Sequence, residues 1–418
     1  MARLSRPSWV ALGAPVAAAL AGAFVAASQG CVAFVCFEGD PCSHASSTTG
    51  AGGSSPTGSS TTATVAPTTS TSTTSTGNTG TTTSTGTSGA CPDPKNCGAP
   101  GIDCLGGACT NCICEPVALD MGGPVGRVAV AGPSVYVAAK GATGNALYSV
   151  PQKFTPGMSL TGSVLTSLPD ITGFVAASLT SGIAYAPATD PHLTLCSGTT
   201  CMPTTQTFSS NVNGMTFDPS GFYFAIGGNG GGIASYKPFS VPPPSGAPNG
   251  LPLLQDDVAG NPDVLHALNG SLYWTDASGC LRVFSESLAG TVKCASVAGV
   301  TVQATDLSVN GLGIFVVQTN GDLYELAIDA ASQSGSGTLV KDDAGVAIKA
   351  TAPISADGSF VYVSAQNGVV VYKYLPAGSP LVASLSTTAA IVGIDTSDPQ
   401  YVFFTAGQKL YRWTKPKP

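Results

Sequence analysis

Ile314-Phe315-Val316-Val317-Gln318-Thr319-Asn320-Gly321-Asp322-Leu323 is the stretch on which the fold turns. An aromatic sits in a short β-prone run, a polar turn rich in Asn, Gly and Asp follows, and a second apolar run opens at Leu323. This is the pattern of a β-hairpin, whose turn needs the positive φ that Gly and Asn supply. Working outward, the same pattern recurs at Tyr136, Tyr185, Tyr223, Tyr273, Tyr362 and Phe403. With Phe315 these aromatics are separated by 49, 38, 50, 42, 47 and 41 residues. Such a period belongs to a β-propeller.

Each repeat has more than a hairpin. Upstream lies an apolar stretch that ends near a turn, as in Arg127–Gly132, Gly214–Gly221 and Ile391–Asp395. Downstream, second runs begin at Leu281, Leu323, Val370 and Leu410, and a fourth follows in several repeats, for example Gly337–Val340 and Pro380–Leu385. The unit is therefore a four-stranded antiparallel blade, and the expected fold is all-β: a propeller of about seven such blades over 115–418. The seventh repeat stops at its third run, Tyr411-Arg412-Trp413, whereas Pro116-Val117-Ala118-Leu119-Asp120 stands alone before the first. That orphan strand is expected to complete the last blade and close the ring.

Composition agrees. Of 418 residues only 9% are charged, with 52 Gly and 31 Pro, which suits turns and short strands and excludes a helical bundle. The net charge of −7 offers no basic surface for a phosphate backbone, so nucleic acid is not an expected partner.

The N-terminal part is organised differently. Arg3 and Arg6 precede an uncharged run from Trp9 to Ala27, the anatomy of an export signal over 1–30. Ser28-Gln29-Gly30-Cys31 resembles a lipoprotein signal and makes Cys31 the lipidation candidate; the alternative is ordinary cleavage after Ala27. Residues 31–45 form a short cysteine-containing segment. From 46 to 90, 29 of 45 positions are Ser or Thr and none is charged, so no apolar surface offsets the entropy of ordering: a disordered linker.

Residues 91–114 hold Cys91, Cys97, Cys104, Cys109, Cys112 and Cys114, too short a stretch to build a core without staples. Sequence cannot choose among their pairings. Cys109-x2-Cys112 also has zinc-ligand spacing, although the segment has no histidine and no second such pair. Elsewhere Cys36 pairs locally with Cys42, Cys196 with Cys201, and Cys280 with Cys294 across strands three and four of the fourth blade. Apart from Cys31 the cysteines are then even in number, as expected of an oxidising compartment. The stretch Asp103–Cys109, closing with Cys114-Glu115-Pro116, resembles a small cysteine module of exported proteins of myxobacterial type.

Tyr273-Trp274-Thr275-Asp276 is similar to the repeat that names the YWTD propellers of low-density-lipoprotein-receptor-like proteins. That resemblance implies six blades and a packing role for the four residues, not a ligand site. Catalytic signatures are scarce. After residue 114 the histidines are His192, beside a turn, and His266, on an expected inner strand; neither belongs to a G-x-S-x-G or H-E-x-x-H motif. Asp256-Asp257 and Asp342-Asp343 lack calcium-loop spacing, and no Lys-Ser/Thr follows the glycines of 227–232. No catalytic residue, metal site or cofactor is therefore assigned. The expected function is a non-enzymatic module, exported and tethered at the bacterial envelope, that binds an extracellular protein or glycan. Contact with the membrane is expected only through a lipid anchor, and the chain is expected to be monomeric. The alternatives are a structural surface component without a specific ligand, or an extracellular hydrolase or lyase of propeller type.

Overall fold

The computed structural model describes residues 93–416 apart from 111, 157, 159–162, 179–181, 191, 198, 208–211, 219–220, 227–231, 237–252, 256–261, 269, 277, 286–291, 311–312 and 366–367. The expected export signal over 1–30, Cys31, Cys36, Cys42, the expected linker over 46–90 and Cys91 lie outside the described residues.

The described residues form strands and turns. A two-stranded ribbon, β1 (Cys109–Thr110) and β2 (Ile113–Cys114), belongs to the cysteine-rich segment, and β3 (Val117–Asp120) follows it. Blade 1 is β4 (Val125–Ala131), β5 (Ser134–Gly141), β6 (Gly144–Pro151) and β7 (Ser163–Ser167). Blade 2 is β8 (Phe174–Ser178), β9 (Gly182–Ala186), β10 (His192–Ser197) and β11 (Thr200–Thr207). Blade 3 is β12 (Val212–Asp218), β13 (Gly221–Ile226), β14 (Gly232–Tyr236) and β15 (Leu253–Gln255). Blade 4 has β16 (Pro262–Leu268), β17 (Ser271–Asp276) and β18 (Leu281–Ser285). Then comes β19 (Ser296–Ala298), and blade 5 comprises β20 (Ala304–Val309), β21 (Ile314–Gln318), β22 (Leu323–Asp329) and β23 (Ser334–Leu339). Blade 6 is β24 (Thr351–Ala356), β25 (Phe360–Ala365), β26 (Gly368–Lys373) and β27 (Leu381–Ser386); blade 7 is β28 (Ile391–Asp395), β29 (Tyr401–Ala406) and β30 (Lys409–Thr414).

Every repeat aromatic falls on the second strand of its blade, from Tyr136 on β5 to Phe403 on β29. The reason is burial on both faces. In β21 all five residues, Ile314 to Gln318, are buried, because one face packs on the preceding blade and the other on the next. The hydrophobic core is accordingly divided into seven clusters, each shared by two consecutive blades, with a small eighth in the cysteine-rich segment. The cluster joining blades 7 and 1 contains Phe403 and Leu410 from one side and Val128 and Val137 from the other, so the ring is closed.

Closure uses both ends of the chain. β3 pairs antiparallel with β30, Val117 opposite Arg412 and Asp120 opposite Lys409, and supplies the fourth strand of blade 7. Six blades thus have four antiparallel strands. Blade 4 differs from expectation, with three strands among the described residues. Cys294 makes only an isolated bridge to Arg282, and the chain then leaves for blade 5, where β19 runs parallel to β23. Gln333 draws it there: its side-chain oxygen accepts the Lys293 amide at 2.8 Å and its carbonyl accepts the Ser296 amide at 2.9 Å.

Candidate functional site

The innermost strands β4, β8, β12, β16, β20, β24 and β28 all contribute to one central cavity of about 350 Å³. Residues at this wall are few in charge, and most polar ones bond to the neighbouring blade. Thr216 accepts the Ala267 amide at 3.2 Å, from blade 4 to blade 3. His266 hydrogen-bonds the backbone of Leu307 in blade 5. Asp306 accepts the Ile354 amide at 2.8 Å and Ser308 accepts that of Ala356 at 3.0 Å, joining blades 5 and 6. Ser355 and Thr396 share a hydroxyl hydrogen bond of 2.8 Å between blades 6 and 7. Asp395 closes the circle by accepting the Val130 amide of blade 1 at 2.8 Å. An inner strand has no further strand on its axial side, so its polar side chains satisfy backbone donors of the next blade.

These commitments set the electrostatics. Burial is the main influence on His266; together with the nearby Arg127 guanidinium it lowers the imidazole pKa to about 4, against the weaker effect of the Leu307 bond, so the ring is neutral near pH 7. Asp395 is pushed above the ordinary carboxylate range by burial, which outweighs its hydrogen bonds from Ser397 and Val130. Arg127 stands over the Phe174 ring at 4.1 Å, a cation–π contact from blade 1 to blade 2. Met215 and Phe217, both part-buried, add apolar surface beside it. The cavity is thus lined by the Arg127 guanidinium, apolar side chains and carboxylates that accept hydrogen bonds.

Apart from His266, which lines the cavity, the residues singled out from sequence fall elsewhere. His192 lies on β10 with its Nδ1 at 2.6 Å from Asp190, both partly exposed and away from the cavity. Tyr273-Trp274-Thr275-Asp276 ends β17. Trp274 is fully buried between blades 3 and 4, while Asp276 accepts the Ser278 and Cys280 amides and is gripped by Arg282 at 2.9 Å through both Nε and an η nitrogen. Asp342 accepts the Val346 amide at 2.8 Å in a surface turn. Asp256 and Asp257 lie outside the described residues.

Cys196–Cys201 and Cys280–Cys294 are disulfides, the first between facing residues of β10 and β11. In the cysteine-rich segment Cys97 bonds Cys109 and Cys104 bonds Cys114, and Cys112 is also in a disulfide. Both members of Cys109-x2-Cys112 are therefore oxidised rather than held as thiolate ligands. What sequence reasoning missed is Arg127, Asp306, Asp395 and Arg412. The available signal was a charged residue inside an apolar inner or third strand, such as Arg127 opening RVAVAG.

No protein-family model matches the chain, and no curated protein matches it. Among solved structures it is similar to a streptogramin B lyase, at 13% identity and a TM-score of 0.50, over 72% of this chain and 96% of that one. The WD40 repeats of RRP9 align at 10% identity and a TM-score of 0.49, over 72% and 99%. BamB from Moraxella catarrhalis aligns at 14% identity and a TM-score of 0.44, over 70% and 85%. At 13% identity the likeness to the lyase shows the fold alone.

Proposed function

We propose that this protein is a non-enzymatic binding module for a protein or glycan partner, exported and held at the bacterial envelope by its N-terminal region. In this reading 1–30 is an export signal, Cys31 carries the lipid, 46–90 is a flexible tether, and the propeller, of YWTD type, presents its central cavity and loops. The observation that carries the non-enzymatic reading is the commitment of the wall. The hydroxyls, carboxylates and imidazole named above bond the next blade, and His266, the histidine at the cavity, is neutral and poorly basic. A general base must hold a proton with a pKa near the working pH and within reach of a substrate atom. Arg127, stacked on Phe174, lines the cavity that a partner group would enter.

The test uses the purified chain with a defined glycan panel, a set of synthetic extended peptides, and lactone, ester and glycoside substrates. The expected result is saturable binding of one panel member, weakened about tenfold or more in Arg127→Gln, a loss typical of a partner-facing Arg, with no turnover. Turnover that disappears in His266→Ala or His192→Ala would overturn the reading in favour of a hydrolase or lyase. Absence of saturable binding across the panels would favour a structural surface component.

A further inference from the structure

The cysteine-rich segment reads from sequence as a separate knot, but the structure seats it on the closing blade. Arg412, on β30, is 1% exposed and has no carboxylate within its hydrogen-bonded shell. Its guanidinium donates to the carbonyls of Cys104 and Leu105 in the cysteine-rich segment and of Phe154 and Gln152 in blade 1. It also lies against the Phe154 and Tyr401 rings, at 5.2 and 5.5 Å. The next two residues repeat the attachment: Trp413 Nε1 donates to the Cys114 carbonyl at 2.7 Å, and Thr414 Oγ1 to the Asp103 carbonyl at 3.3 Å. Three consecutive side chains of one strand thus hold the segment, and one of them also holds blade 1.

The segment cannot keep that shape by packing. Its core is Cys97, Cys104 and Cys114 with Ile102 and Cys109 beside them, so its order depends on the disulfides. Cys104–Cys114 ties the loop that carries the carbonyls for Arg412 to the residue three positions before β3. β3 has only four residues, and its pairing with β30 is what joins the chain ends.

We propose that the cysteine-rich segment is a disulfide latch on the ring: with Cys104–Cys114 closed, β3 is held on β30, and reduction of that bridge releases β3 and opens the propeller between blades 7 and 1. The reductant is a dithiol. One of its thiolates attacks a cystine sulfur to form a mixed disulfide, and its second thiolate resolves it. Two electrons and two protons pass to the chain, leaving thiols at Cys104 and Cys114 and a disulfide in the reductant.

Hydrogen–deuterium exchange on the full chain tests this. In a Cys104→Ser/Cys114→Ser variant, amides of β3 and β30 are expected to exchange about tenfold faster or more, while β9, β13 and β25 keep their protection. A Cys196→Ser/Cys201→Ser control, which removes a bridge in blade 2, is expected to leave β3 and β30 unchanged. Unchanged exchange of β3 in the first variant, or equal loss over all blades, would overturn the latch. Should that variant fail to fold, a dithiol pulse on the folded wild-type chain gives the same discrimination. Exposure of β3 and β30 ahead of blades 2 to 6 supports the latch, and simultaneous exposure of every blade overturns it.

Discussion

Gly126 shows how tightly the inner strands meet. A Cβ built there would lie 1.9 Å from the Ile171 carbonyl oxygen, a backbone atom of the connection into blade 2. Gly126→Ala is expected to destabilise the protein by about 2 kcal/mol, read from the shift of a urea midpoint at constant slope. Asp276 acts by charge rather than space. Its carboxylate is 1% exposed and faces Arg282, itself 11% exposed, so Asp276→Ala removes the counter-ion from a buried pair and is expected to lose about 3 kcal/mol by the same measurement. The resemblance of this tetrapeptide to a propeller repeat was legible in sequence; its partner Arg282 was not, because the pair forms only once β17 and β18 lie side by side in register. His266 gives a pH signature. Its folded pKa, about 4, lies below the ordinary value of 6.5, so between these pH values the unfolded chain binds more protons than the folded one. Stability therefore falls on acidification from about pH 6.5 to 4, by up to about 3 kcal/mol. A His266→Phe variant is expected to lack this part of the slope in denaturation curves taken across that range.

At the scale of elements, strand order was largely readable, the pairing of β3 with β30 included, whereas the path of the chain after β18 was not. The hairpin of β21 and β22 follows from an alternation of apolar run and turn within ten residues, and Gly321, with φ of 83°, occupies the left-handed position that the turn requires. Cys196 and Cys201 face one another for the same reason, being on either side of a short turn. In blade 4 the expected fourth strand is reduced, among the described residues, to the antiparallel bridge of Cys294 with Arg282, beyond which Gln333, about forty residues away, offers a side-chain oxygen and a carbonyl to the passing chain. Blades also carry their own internal ties. In blade 6 Asp357 accepts the Ser359 and Phe360 amides and the Tyr362 hydroxyl, and it also holds Lys415, which follows β30 of blade 7. Burial would raise its pKa, but these bonds prevail and lower it below the ordinary range. Its contribution to stability is thus present above the unfolded carboxylate pKa and lost as the pH falls through the lower folded one. Removing one bond, as in Tyr362→Phe, is expected to lose about 1 kcal/mol at pH 7, and the melting temperature is the simplest readout.

The whole molecule is a closed ring, and closure is where distant residues matter most. Thr405 donates to the Gly126 carbonyl across 279 residues of sequence and Asp395 accepts from Val130 across 265, both between blade 7 and blade 1. Loop closure of that length is entropically slow, so blades formed from local hairpins are expected to gain exchange protection before the β3–β30 pair does. Pulse-labelled exchange during refolding with the disulfides intact would show the order, and earlier protection of β3 would contradict it.

The sequence by itself determined the blade: its aromatic second strand, its turns, its repeat length and the local cystines, since each depends on residues close together in the chain. It also carried the orphan strand that completes blade 7, because an unmatched run before the first repeat and a missing one after the last are countable. Only the tertiary structure decided what the polar residues do. Arg127, Asp306, Asp395 and Arg412 are isolated charges in apolar strands when read in order. Their roles arise from the next blade or from the cysteine-rich segment, which the ring brings within hydrogen-bond distance and sequence order keeps far apart.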